Sequence, residues 1–109
     1  MADEFLLALS TFPDAETARR IAEELVTDHL AACANILPGV QSIYHWQGKV
    51  EQAAETMVFF KTTESRLAAL QEKLKALHPY DIPEMIAVPI SAGLPEYLQW
   101  ISAGCSSER

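Results

Sequence analysis

The segment His78-Pro79-Tyr80-Asp81-Ile82-Pro83-Glu84 concentrates an imidazole, a phenol and two carboxylates in one short stretch. Those are the groups of proton transfer and of cation coordination. Pro79 and Pro83 fix their own φ and drive the residues before them toward extended backbone. The stretch therefore reads as a stiff link whose side chains keep set directions. Lys61 closes the apolar run Met57-Val58-Phe59-Phe60. Its ammonium is expected to be partly buried, where it needs a carboxylate; Glu84 is the expected partner, within the chain or across a subunit boundary. Trp46, Tyr80 and Trp100 are expected to wall a cleft between subunits on which Lys61 and Glu84 converge. The same aromatics, with Tyr44, also suit the anchors of a subunit interface.

Other residues point away from catalysis. Cys33 is expected to be buried, the chain has no Gly-x-Ser-x-Gly turn, and its 4 glycines form no phosphate-cradling loop. Lys61 and Glu84 are read as a structural ion pair and Asp81 as a solvated carboxylate, so no enzyme is expected. His29 and Cys33 are four residues apart, but a strand beginning near Ala32 separates their faces, and core packing is expected for both. His45, between Tyr44 and Trp46, reads as a surface or interface histidine. No Cys/His cluster has zinc-ligand spacing.

The balance of 8 basic against 15 acidic residues gives a net charge of −7, which opposes binding to nucleic acid or anionic membranes. No apolar run reaches the length of a membrane helix, and the start Met1-Ala2-Asp3-Glu4 does not read as a secretory signal. Two cysteines without a CxxC spacing suit reduced thiols. A cytoplasmic protein is expected.

These residues must be positioned by few elements. Residues 4–11 form a continuous apolar run, expected as a central strand buried on both faces. Pro13-Asp14 opens a helix with Asp14 as N-cap, and Ala18, Ile21, Ala22, Leu25 and His29 form its stripe. Residues 32–46 are β-rich, interrupted at Pro38-Gly39 as by a bulge or a bend. Gln47-Gly48-Lys49 is the turn into a strand over 50–62. A second helix starts near Thr62 or Thr63, with Leu67, Leu70, Leu74 and Leu77 inward, and ends at Pro79. Residues 85–90 form the last strand, and 95–103 a short helix with Leu94, Leu98 and Ile101 inward. The order is the split βαββαβ of an α+β ferredoxin-like sandwich with an extra C-terminal helix. In that topology strands two and four lie at the edges, where Pro38 and Pro89 are tolerated. One domain over 1–103 and a disordered tail over 104–109 are expected. The long apolar arm from Ile36 to Trp46 is an exposed edge, which pairing with further copies of the chain would cover.

Four motifs in register, Leu30-Ala31-Ala32-Cys33-Ala34-Asn35-Ile36, Tyr44-His45-Trp46-Gln47-Gly48-Lys49, Lys61-Thr62-Thr63 and His78 through Glu84, followed by Tyr97-Leu98-Gln99-Trp100, resemble the CutA family of divalent-cation tolerance proteins. The likeness covers about residues 5–102. It implies a homotrimer architecturally akin to PII signalling proteins, associated with copper and other divalent metals. The family's proposed copper ligands include a cysteine late in the first strand and two histidines before the Pro-Tyr. Here Ser10 and Leu77 occupy two of those places, which leaves His78 as the metal candidate and implies weak binding of copper or another divalent cation. The alternative is a PII-like signalling or structural anchoring trimer with no metal role. An acylphosphatase-like enzyme would need a phosphate-binding arginine, but Arg19, Arg20, Arg66 and Arg109 fall on helix faces or in the tail. A metallochaperone would need CxxC where Ser10-Thr11-Phe12-Pro13 stands. An RNA-binding domain is opposed by the charge.

Overall fold

In the computed structural model, which describes residues 3–106, the strand β1 (Phe5–Phe12) is hydrogen-bonded on both sides. It runs antiparallel to β3 (Lys49–Thr63) on one side and to β4 (Ile86–Pro89) on the other. β2 (Cys33–Trp46) pairs with the outer side of β3, giving the order β2-β3-β1-β4. Pro38 and Pro89 thus both stand on edge strands, where their missing N–H breaks no ladder bond. The helices α1 (Ala15–Thr27), α2 (Glu64–Leu77) and α3 (Pro95–Gly104) complete the expected order, with ends within two residues of the sequence pattern.

Local signals explain the boundaries. Asp14 caps α1 by accepting from the Thr17 N–H at 2.7 Å, and this bond holds its carboxyl below the usual carboxylate range. At the other end of α1, His29 takes φ 61, the position usually given to glycine. Its ring Nδ1 lies 3.0 Å from the Gly104 carbonyl oxygen, which ties the α1 terminus to α3. His29 is thus a structural cap. The two-residue turn after Trp46 has φ 52 at Gln47 and φ 80 at Gly48. Two positive φ values match the turn to the twist of the strands it joins.

The core lies between one face of the sheet and the two long helices. Ala8, Phe12, Val58 and Phe60 pack against Ala18, Ile21 and Leu25 of α1 and Leu70 and Leu74 of α2. The opposite face is only half-covered. Phe5, Leu7 and Leu9 of β1 are half-buried while Leu6, Ala8 and Ser10 are buried, so β1 is not enclosed on both sides as its apolar run suggests. The reason is that α1 and α2 both lie on one face. Likewise only Leu70 and Leu74 of the leucine stripe are fully buried, and Leu94 points outward.

Pro38-Gly39 is a bulge. Leu37 faces Met57 and Val40 faces Glu55, so β2 carries one residue more than β3 between these pairs. Gly39 takes φ 79 there. Before the bulge Cys33, Asn35 and Leu37 share the half-covered face with Lys61, Phe59 and Met57. After it, Val40, Ser42, Tyr44 and Trp46 share the face of Glu55.

α3 runs to Gly104, and Cys105 beyond it is buried, its carbonyl accepting from Arg66 Nε at 2.7 Å. The ordered chain therefore passes the expected boundary at residue 103. Of the tail expected over 104–109, residues 107–109 lie outside the described residues. A Cβ on Gly104 would stand 2.7 Å from Ala32 Cβ. Gly104→Ala is therefore expected to lower stability by about 1–3 kcal/mol, the usual cost of overpacking, read as a lower urea midpoint at unchanged slope.

Candidate functional site

His78 ends α2, its N–H still bonded to the Leu74 carbonyl at 2.9 Å, and Pro79 forces the chain out of the helix. The ring is buried. Its Nε2 lies 2.7 Å from the Thr11 carbonyl oxygen, and its Nδ1 accepts from the Tyr80 N–H at 3.1 Å. A nitrogen that accepts from an amide carries no proton, so His78 is the neutral ring with its hydrogen on Nε2, donated to Thr11. Burial pushes its pKa below the ordinary histidine value, against the opposing effects of the Thr11 carbonyl and Glu55. The ring stacks on Phe12 at 4.7 Å and meets Tyr80 at 4.7 Å.

Tyr80 carries the staple onward. Its hydroxyl donates to Glu55 Oε2 at 2.6 Å. Burial first, and then that bond, push the phenol well above its usual range. The link from α2 to β4 is thus tied to β1 through His78 and to β3 through Tyr80.

Between this link and the twisted hairpin lies a cleft of about 570 Å³, lined by Thr11, Tyr44, Trp46, Glu55, Tyr80 and Glu84 among others. Glu55, Asp81 and Glu84 supply three carboxylates to its wall, and among the described residues no lysine or arginine lines it. Glu84 Oε1 accepts from Thr11 Oγ1 at 3.4 Å. Glu55 is 9% exposed and forms no ion pair among the described residues. Chemically this is a wall of hard oxygen donors beside aromatic rings, suited to a positively charged ligand.

The CutA1 divalent ion tolerance protein family profile matches residues 6–104. The chain belongs to that family. The divalent-cation tolerance protein CutA of Thermus thermophilus is 50% identical over 95 residues, 87% of this chain and 92% of that protein. Protein CutA 1, chloroplastic, of Oryza sativa is 48% identical over 91 residues, 84% of this chain but 51% of that longer protein. The crystal structure of CutA from Xylella fastidiosa superimposes with a TM-score of 0.92 at 46% identity, covering 94% of this chain and 99% of that one.

Within this CutA fold the sequence-predicted site divides in two. Trp46, Tyr80 and Glu84 line the cleft. Lys61 and Trp100 do not. Lys61 pairs across the sheet with Leu7, whereas Glu84 reaches Thr11, four residues along β1. At the rise of an extended strand that is about 13 Å, so the expected Lys61–Glu84 pair does not form within the chain. Lys61 instead donates to Asn35 Oδ1, approaches Cys33 Sγ at 3.8 Å, and lies 5.9 Å from the centroid of the Tyr97 ring. Trp100 stacks on Tyr97 at 5.4 Å.

His78 is not available as the expected metal ligand, because both ring nitrogens are engaged inside the chain. Ser10 is fully buried on the helix-facing side of β1, so a ligand at that position would point into the core. Among the described residues no group of three or more His, Cys, Asp or Glu side chains is gathered to hold a metal. Glu55 and Thr11 are the site residues that sequence reasoning missed. A phase count across the bulge, which puts Glu55 opposite Val40 and on the side of Tyr44, was the available signal for the first.

Two measurements check this geometry. Below about pH 6.5 an unfolded histidine binds a proton that folded His78 resists, so stability is expected to fall as pH drops from 7.5 toward 5.5. Asp3 and Asp14, held low, lose their contributions only at more acidic pH. Denaturant titrations should show that slope in the parent chain and its loss in His78→Gln. Ser10 Oγ is buried without a hydrogen-bond partner among the described residues. Ser10→Cys is expected to raise stability by about 1 kcal/mol, since sulfur loses less than a hydroxyl when left unbonded.

Proposed function

We propose that the chain is a cytosolic homotrimer that contributes to tolerance of divalent metals such as copper by binding a metal ion or small ligand at clefts between subunits. The observation that carries this is the cleft beside the stapled link, where Glu55, Asp81 and Glu84 stand with no lysine or arginine on the wall among the described residues. The names of the relatives support the metal side of the proposal: the Thermus thermophilus and Citrobacter koseri proteins are called divalent-cation tolerance proteins. Cytosolic placement accords with the reduced thiols, both of them free. No helix among the described residues is long and apolar enough to cross a membrane.

The trimer is supported by what one chain leaves uncovered. Ile43, Val50, Ile82 and Leu94 are each at least 65% exposed, and Trp46 and Trp100 about half. Apolar groups of this size, spread over the β2–β3 hairpin, α3 and the segments flanking β4, are the substance of an interface. In this assembly Lys61 and Trp100 reach the cleft of a neighbouring subunit, which gives Glu84 its cation and completes the walls begun by Trp46 and Tyr80. With no free imidazole or thiolate beside these carboxylates, copper binding is weak. A signalling or anchoring trimer with no metal role is the second proposal, favoured by the engagement of both His78 nitrogens. In neither does the chain act as an enzyme.

Light scattering should give a mass near three times 12.1 kDa. Trp46→Ala should weaken the assembly by on the order of 2 kcal/mol, as loss of an interface anchor does; a monomer at micromolar concentration contradicts the interface. A thermal-shift series with copper, zinc and magnesium should raise the melting temperature only at high metal concentration, with the rise reduced in Glu55→Gln and Glu84→Gln. Nanomolar copper affinity abolished by His78→Ala would reverse the assignment of the site.

A further inference from the structure

Cys33 and Lys61 face each other directly across the β2–β3 ladder. Side chains so placed start from Cβ atoms about 5 Å apart. The lysine stem folds back to bring Nζ to 3.8 Å from Cys33 Sγ. Two further groups hold it there. Asn35 Oδ1, two residues along β2, accepts from the same ammonium, and the Tyr97 ring lies 5.9 Å away. Asn35 Oδ1 is also 3.8 Å from Cys33 Sγ, so the thiol and the amine share one acceptor. The proposed cleft between subunits calls on Lys61 alone and leaves the Cys33 thiol without a role.

The second thiol supplies the contrast. Cys105 is 4% exposed, its Sγ near Thr62 Oγ1 at 3.9 Å, and burial pushes its pKa up. Cys33 is only half-buried and open to a small oxidant. Thiol reactivity follows such exposure, and a sulfenic acid condenses with a nitrogen nucleophile held beside it.

We infer that Cys33 and Lys61 form a reversible oxidation site in which peroxide converts the pair to a covalent sulfur–nitrogen bridge. Peroxide first oxidises the thiol: Cys33–SH and H2O2 give Cys33–SOH and water. The Lys61 amine then attacks the sulfenyl sulfur. The S–N bond forms, the S–O bond breaks, the hydroxyl leaves as water with one amine proton, and the ammonium's extra proton passes to solvent. The chain loses two hydrogens in total. A thiol reductant returns both side chains by attacking the same sulfur. The bridge would lock β2 to β3 next to Tyr97 and remove one positive charge from the half-covered sheet face.

The test treats the whole chain with dilute hydrogen peroxide and reads intact mass and peptide maps. The expected result is loss of two hydrogens per chain, a peptide joining Cys33 to Lys61, lost tryptic cleavage at Lys61, and full reversal by dithiothreitol. Lys61→Arg keeps the charge over Tyr97 but removes the primary amine, and Lys61→Met removes both. In each, Cys33 should instead advance to the sulfinic acid, which dithiothreitol does not reverse. The inference is overturned if the two-hydrogen loss persists in the Lys61 variants, if the joined peptide links Cys33 to Cys105, or if Cys33 reaches the sulfinic acid equally in parent and variants.

Discussion

The extra residue that β2 accommodates at Pro38-Gly39 decides which side chains meet in the cleft. Strand side chains alternate with a period of two, so one inserted residue exchanges the faces of everything beyond it. Without the bulge, Tyr44 and Trp46 would stand on the face opposite Glu55 and the hairpin would turn a different set of residues toward the 78–84 link. The bulge can exist because β2 is an edge strand. Pro38 lacks an N–H that a central strand would need, and Gly39 adopts φ 79, which a residue with a Cβ resists. One local conformational requirement thus sets the contents of a site assembled from three distant parts of the chain.

The link opposite the hairpin is rigid for a complementary reason. Its prolines limit the backbone, and its two polar anchors end on groups that do not move, the Thr11 carbonyl within the sheet and the buried Glu55 carboxylate. Histidine serves here as a two-ended connector rather than as a titrating group or a ligand. It joins a strand carbonyl to an amide of its own loop and adds two aromatic contacts. Such an arrangement holds the link that carries Asp81 and Glu84 to the sheet, and a link already held lowers the ordering cost of binding.

Much of this was legible in the sequence, and what failed did so for identifiable reasons. The prolines at 38 and 89 marked edge strands because the rule concerns a missing donor, which no tertiary context restores. Asp14 was legible as a cap because its bond spans three residues. The burial of β1 was misjudged because an apolar run reports low polarity, not which neighbours cover each face. Lys61 and Glu84 were paired by chemical need alone; their separation along β1 depends on strand register, which composition does not encode. His78 was assigned as a ligand by likeness, while one of its two ring hydrogen bonds depends on a carbonyl 67 residues away. Gly104 and Cys105 looked like tail because small and polar residues surround them, yet a close approach to Ala32 and a bond from Arg66 hold them in place.

The central place of β1 also bears on the order in which the sheet is built. Both of its neighbours come later in the chain, and the nearest of them, β3, is reached only after α1 and β2 have been made. The β2–β3 hairpin, by contrast, zips outward from a two-residue turn, with partners that begin three residues apart at Trp46 and Lys49. Closing short loops is fast and closing long ones slow. Loop-closure entropy thus favours the β2–β3 ribbon, and β1, an apolar segment, gains both of its partners only from parts of the chain that follow it.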